Sequence, residues 1–581
     1  MRTLTEDPLR TGSPRAAAEH AHLEALLRCW TRETGTDVQP GPLHVALAAT
    51  GLSLVTDVPY ASATGWHRFG PVRLQRADGT DAGPADPVLA VALVAAEAAA
   101  RGGARPGGIP PGQIADLVER TADSVRRVEA FLTGTQVRAP QDAFLDAEQA
   151  LLLGHLHHPA PKSRDGITLA EAAAWSPELR GSFRLHWFAA DPAVVSQDAV
   201  TSSPALRGRD TAVLLADLAG GPDPAGRVLV PAHPWQARDA LRRARLAALV
   251  EAGALEPLGE RGEPWWPTSS LRTVYRPGAE VMLKLSLGLR ITNSRRESTA
   301  TELRRGLEVH RLLDAGYAAA TAAAYPHFSI VRDPGWLAVD EPQRPGGPQL
   351  TGLDVAVREA PEGISGLRAL VGLVAPRPQH GMSRLGALVA DGRLDPMLWV
   401  AAYTDAVLVP MLHLYAATGI GLEAHQQNTL VRLRPDGLVT GGAFRDNQGY
   451  YLAASHLPAL LRCSGAEEST LAVVDDRIVD ERLSYYLLRN QALAVVGCLA
   501  VDGLAPEPEL LDALTARLRA ALPALAAAGP DGDRLARRWL TAPTLPCKGN
   551  LLTQLHGIDE VVAPLDAQSV YLDAPNPLVP R

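Results

Sequence analysis

The pattern of apolar and polar positions changes twice along the chain. Up to about residue 140 it is alanine-rich and predicts mainly helices, closing on a helix in which Phe144, Ala147 and Leu151 share a face before Gly154 stops it. The stretches "DAGPADP", "RGGARPGGIPPGQ" and "AGGPDPAG" read as loops. The middle third turns toward strands. "RVLVPAHPWQ" is a short β-branched run entering a proline-rich turn, and "SLRTVYRPGAEVMLKLSLGL" predicts a hairpin folded at "RPGA". Alternation puts Val281, Leu283, Leu285 and Leu287 on one face and Met282, Lys284 and Ser286 on the other, with Ser270 and Arg272 sharing a face of the preceding strand. Lys284 then stands on a polar side where it holds no core. "SRRE" offers a capping box, Ser294 as N-cap and Glu297 three residues on, for a helix carrying Leu303, Leu307 and His310 toward Gly316.

The last 200 or so residues return to the helical period. Asp395 caps a helix that opens on Pro396; Trp399, Ala402, Ala406 and Val409 form its face, Pro410 kinks it and Gly419 ends it. In "GIGLEAHQQNTLVRL" the alternation predicts a strand with Glu423, His425 and Gln427 on one face.

Composition narrows the function. A chain of 581 residues is too long for one core and predicts two or three domains. A net charge of -8 supplies no basic field for nucleic acid or an anionic membrane. The apolar runs "PVLAVALVAA" and "ALAVVGCLAV" are about half of a spanning helix, and "MRTLTEDPLRTGSPR" has no apolar signal-peptide core, so a cytoplasmic protein with no membrane partner is expected. Cys29, Cys463, Cys498 and Cys547 show no CxxC spacing, and His155, His157 and His158 lack a fourth ligand at zinc spacing. Of 56 basic residues only Lys162, Lys284 and Lys548 are lysines. A drift to arginine spares lysine where a compact, mobile ammonium does what a planar guanidinium cannot.

Four patches ask for one explanation: "SSLRT", "KLSLGLRITNSRR", "EAHQQN" and "FRDNQG". Serine, threonine, lysine and arginine beside a helix N-terminus carrying Arg295 and Arg296 suit a polyphosphate, and Glu423 and Asp446 are hard oxygen ligands suited to magnesium. No GxxxxGK[ST] loop or GxSxG elbow occurs. The order His, Asn, Asp is similar to kinase-like phosphotransferases, but Gln427 stands where the catalytic Asp belongs and no glycine-rich phosphate loop precedes it.

From "LLLGHLHHPAPKSRDG" through "SPELRGSF", "VPAHPWQ", "PTSSLRT", "KLSLGLRITNSRR", "GIGLEAHQQN" and "FRDNQG" to "LPCKGNLL", the chain resembles the IucA/IucC-type, NRPS-independent siderophore (NIS) synthetases. Leu156 departs from the family's usual proline. The resemblance implies an α+β fold shaped as a cupped hand: a mainly helical thumb (1–140), strand-rich fingers with an antiparallel sheet and a phosphate-binding hairpin (141–375), and a mainly helical palm with a kinase-like strand segment (376–581). It implies a ligase that uses ATP and Mg2+ to adenylate a carboxylate, most often citrate, and passes the acyl group to an amine or hydroxyl with release of AMP and pyrophosphate. A citrate half-amide or 2-oxoglutarate as the acid, a kinase-like phosphotransferase and an idle binding protein are the alternatives. Carried onto this chain, His425, Arg296 and Lys284 are catalytic, and Ser270, Arg272, Lys284, Thr292, Arg296, His425, Gln427 and Asn428 bind ATP. His155, Lys162, Arg164 and Lys548 bind substrate, Glu423 and Asp446 hold the metal, and a homodimer is expected.

Overall fold

The structure is a computed structural model and describes residues 7–102, 108–134, 138–339, 351–464, 471–560, 563 and 567–579; part of the predicted loop at 101–113 and the start of the N-terminal segment lie outside these. The fold is α+β. The first segment carries helices Pro14–Thr34, Pro87–Ala100 and Pro111–Gly134, and also a four-stranded antiparallel sheet that the helical expectation omits. Its first two strands, Gly41–Leu47 and Leu52–Val58, bury Leu43, Val45, Leu47, Leu54 and Val58 against Trp30, Val91 and Val94 of the helices. The expected loop "DAGPADP" is partly its edge strand, Asp81–Pro84, after which Asp86 caps the next helix.

The middle of the chain builds an eight-stranded sheet, every neighbouring pair antiparallel. In order it runs Val195–Ala199, Gly335–Val339, Asp354–Glu359, Val281–Leu285, Thr273–Tyr275, Leu255–Pro267, Phe183–Ala190 and Val228–Ala232. The hairpin at "RPGA" forms, with Lys284 opposite Thr273. One face of Val281–Leu285 joins the core around Trp187 and Trp265 through Val281, Leu283 and Leu285, as the alternation requires. Leu287, on the separate strand Leu287–Ile291, packs in another cluster with Trp235. The other face is not polar surface. Met282 joins a core with Phe144 and Tyr275, and Lys284 is 3% exposed.

The predicted helix start is displaced. Ser294–Arg296 is a short strand paired with Leu287–Ile291, and the helix runs Ala300–Asp314 with Thr299 and Glu302 as its capping box. Ser294 Oγ instead accepts from Glu560 N–H at 3.0 Å, and Glu297 is engaged by Arg243. Leu303, Leu307 and His310 are buried as expected.

Toward the C-terminus, Asp395 caps Pro396–Tyr403, one π-helical turn spans Thr404–Leu408, and Val409–Thr418 ends at left-handed Gly419. Pro410 has no N–H to give to the preceding turn, which accounts for a helical irregularity there. This stretch, Pro396–Thr418, is long and apolar enough to cross a membrane, and exceeds the apolar runs singled out above; 67% of its most apolar window is buried inside the protein, as in a core helix. Around it lie Leu487, Val495, Leu514 and Trp539.

Candidate active site

"EAHQQN" is not a continuous strand. Ile420–Leu422 pairs with Tyr450–Ala453 in one small sheet, whereas Thr429–Leu433 pairs with Val439–Phe444 in another. Residues 423–428 and 445–449 therefore both cross between the same two sheets. Backbone bonds lace the crossings together, Glu423 N–H to Gly449 O at 3.0 Å and Arg445 N–H to Asn428 O at 2.9 Å. This brings the two acidic motifs side by side although about twenty residues separate them. Asp446 takes φ +92, a backbone region that costs a non-glycine residue on the order of 1–3 kcal/mol.

The loops face the middle sheet across a cavity of about 310 Å3. All fourteen residues singled out in the sequence line it: His155, Lys162, Arg164, Ser270, Arg272, Lys284, Thr292, Arg296, Glu423, His425, Gln427, Asn428, Asp446 and Lys548. Ser270 and Arg272 lie in a turn before Thr273–Tyr275 rather than in the strand, with Leu271 between them at φ +68. Ser270 Oγ accepts from Thr273 N–H at 3.0 Å, and Arg272 donates to Arg296 O at 2.9 Å. Thr292, at φ +54, sits at the tip of the tight turn joining Leu287–Ile291 to Ser294–Arg296, and its hydroxyl accepts from Arg296 at 2.9 Å. Three strained non-glycine residues thus line the cavity, Leu271 and Thr292 on the sheet side and Asp446 on the loops opposite.

Lys284 Nζ donates to Asp446 Oδ1 at 2.7 Å, joining the sheet to the loops, and Arg358 grips Asp333 in two bonds and reaches Asp446 at 3.5 Å. Burial alone would raise the Asp446 carboxyl; Lys284, Arg358 and Arg272 outweigh it and hold the carboxyl far below the usual range. Burial lowers Lys284 to about 8, with Asp446 resisting. Burial and then the Asp446 charge push Glu423 up to about 7. His425 is lowered by burial to about 4 and is neutral at pH 7.

Among the described residues no three His, Cys, Asp or Glu side chains gather in a metal-binding group. Glu423 and Asp446, two carboxyls close enough that the Asp446 charge raises Glu423, fit a hard divalent cation that completes its shell with phosphate oxygens and water.

Lys162 and Arg164 both reach the buried carboxylate of Glu178, which ties their loop to the chain after it. The three neighbouring histidines diverge. His155 meets Asn490 at 3.0 Å, His157 meets Gly65 O at 3.2 Å and His158 meets Asn293 at 3.1 Å. Lys548, at the end of Thr544–Lys548, pairs with Glu560, which also accepts from Asn293 at 2.9 Å. Glu560, Asn293 and the buried Arg445–Glu148 pair are site components that sequence reasoning missed; Asn293 and Arg445 lay inside quoted motifs, Glu560 and Glu148 did not. So are Arg32, Thr64 and Trp66, which the first segment contributes to the cavity. Glu33 accepts from the N–H groups of Leu551 and Leu552, at 3.0 and 2.8 Å, and so holds the N-terminal turn of helix Asn550–Leu555 just after Lys548.

Comparison with known proteins gives the arrangement its relatives. Residues 143–375 match the family described as IucA/IucC, and residues 397–562 match the family described as ferric iron reductase FhuF-like transporter. The rhizobactin siderophore biosynthesis protein RhbC of Rhizobium meliloti is 37% identical over 96% of this chain and 98% of its own. The spermidine–citrate ligase of Bacillus anthracis is 32% identical over 97% and 98%. The ATP-bound aerobactin synthetase IucA of a hypervirulent Klebsiella pneumoniae superposes with a TM-score of 0.82 at 28% identity, covering 97% of this chain and all of that one.

Proposed function

Because the chain belongs to the IucA/IucC family of siderophore synthetases, we propose that it is an ATP-dependent ligase that joins citrate to an amine. A citrate carboxylate oxygen attacks the α-phosphorus of ATP and pyrophosphate leaves; the amine nitrogen then attacks the acyl carbon, loses a proton, and AMP departs. A carboxylate is a poor electrophile, and adenylation gives it a good leaving group, so the protein's task is positioning and charge stabilisation. The observation that carries the reading is the meeting of four distant motifs at one cavity, in a chain that is similar along its whole length to a spermidine–citrate ligase.

In this reading Ser270, Arg272, Thr292 and Arg296 hold the triphosphate, with Lys284 shared between Asp446 and a phosphate oxygen. His425, neutral through burial, is suited to accept a proton, with Gln427 and Asn428 beside the nucleotide and the reacting carboxylate. Glu423 and Asp446 hold magnesium, which when bound neutralises phosphate charge. His155, Lys162, Arg164 and Lys548 serve the substrate side. The cupped-hand division at residues 140 and 375, a cytoplasmic location where ATP is available, and a homodimer belong to the same reading; elution of the protein at monomer size at micromolar concentration would remove the dimer.

The test is the purified protein with ATP, Mg2+, citrate and a panel of amines including spermidine and short diamines. AMP, pyrophosphate and a citryl amide identified by mass are the expected products. ADP in place of AMP would overturn the reading in favour of phosphoryl transfer.

A further inference from the structure

Seven arginines and all three lysines line the cavity. Most have a carboxylate partner: Lys162 and Arg164 share Glu178, Lys284 has Asp446, Lys548 has Glu560, Arg358 has Asp333 and Arg445 has Glu148. Among the described residues, four guanidiniums there have no carboxylate in salt-bridge range. Arg272 and Arg296 belong to the wall already assigned to phosphate. Arg32 and Arg489 do not.

Arg32 leaves the end of helix Pro14–Thr34 and donates to Lys548 O at 3.3 Å. Arg489 comes from the π-helical stretch Ser484–Ala492 and spends one terminal nitrogen on Leu545 O, Ala574 O and Pro575 O. The Nε of each is buried without a hydrogen-bond partner. Burial, and the Arg32 charge among its neighbours, work against protonated Arg489. Two guanidiniums at one end of the cavity, neither with a carboxylate in salt-bridge range, make that end a place where an anion is favoured. Planar guanidiniums present the fork that suits a carboxylate. The place is close to the reacting end, since His155 bonds Asn490, next to Arg489, and feels Arg32, Lys548 and His425 together.

We propose that Arg32 and Arg489 grip a carboxylate of the acyl donor other than the one being activated, and so select donors with more than one carboxylate. The inference rests on the donor reading above; Lys548, whose charge Glu560 already answers, is not the free cation of this corner.

Equilibrium binding to the full chain tests it, in the presence of α,β-methylene ATP, with citrate, 3-hydroxyglutarate (citrate without its central carboxylate) and citramalate (citrate without a terminal one). The wild type should bind citrate about tenfold or more tightly than the analogue lacking the gripped group, and Arg32→Gln should collapse that ratio by losing citrate affinity alone, with nucleotide affinity and melting temperature held. Arg32→Lys should restore part of the ratio, and it serves if the glutamine variant is unstable. An unchanged ratio in the Arg32 variants, or a wild type that binds no citrate, overturns the proposal. Arg32-dependent citrate binding without AMP release would leave the grip standing and sink the adenylation reading. AMP release with an Arg32-independent preference would do the reverse.

Discussion

Lys284 shows how far a single residue can be read from its neighbours in sequence. Its rarity and its alternation with apolar residues mark it correctly as facing away from the main core. Period two cannot reveal that a second layer, the loop bearing Asp446, closes over that face. The consequence for mutation is altered. Lys284→Ala should reduce carboxylate-dependent AMP release by about 30- to 1000-fold in kcat/KM, equivalent to 2–4 kcal/mol, as loss of one charged stabilising group does. It should also lower the melting temperature, because Asp446 keeps a buried charge after losing its hydrogen-bonded partner, with Arg358 at 3.5 Å and the Arg272 charge left to offset it. Adding Asp446→Asn should recover much of the melting temperature and none of the activity; recovery of activity would mean that the pair serves the fold alone. Leu271, Thr292 and Asp446, the strained trio around the cavity, were invisible in sequence, because nothing in a leucine or threonine announces a positive φ.

At the scale of elements the sequence offered competing signals and tertiary contacts chose between them. Two capping boxes stand five residues apart, "SRRE" and "TATE", and the second one caps because Arg243 occupies Glu297. Thr299→Ala should therefore cost about 1 kcal/mol in denaturant unfolding and leave the KM for ATP unchanged; a silent substitution would contradict the observed start. The N-terminal sheet was legible in principle. Leu43, Val45 and Leu47 alternate with polar or small residues, and Leu52, Leu54, Thr56 and Val58 answer them after Gly51, but alanine-rich surroundings masked the period. The crossing of "EAHQQN" between two sheets was not legible, since alternation continues through a loop as readily as through a strand. Close approach is equally hidden. A Cβ on Gly372 would stand 1.8 Å from Ala147 O, so Gly372→Ala should force apart helices Leu370–Val374 and Ala143–Glu148 and lower the melting temperature by several degrees or abolish soluble expression.

Over the whole molecule, burial of ionisable groups sets a pH dependence of stability. His22, His67 and His425 are lowered to about 4 and His155, His158 and His233 to about 3, so between pH 6.5 and 4 the unfolded chain takes up protons at these six positions that the native state refuses. Their stabilisation is complete above the unfolded value of 6.5 and is lost as the pH falls. Glu33, Asp354 and Glu423, each raised to about 7, act with the opposite sign in the same window, and they are fewer. The melting temperature should therefore drop steadily from pH 6.5 to 4, by about 1.4 kcal/mol of stability per pH unit for each group in excess; a flat profile would show that the histidines are more hydrated than their burial indicates. One consequence concerns what the chain does to itself. Activated acyl groups attack any accessible primary amine, and lysine side chains are the usual casualties on a protein surface. Here every ε-amine is turned inward, 3–6% exposed and clasped by a carboxylate. A mixed anhydride that escaped the cavity would meet no exposed lysine on its maker; the three ε-amines line the cavity itself, each held by its carboxylate.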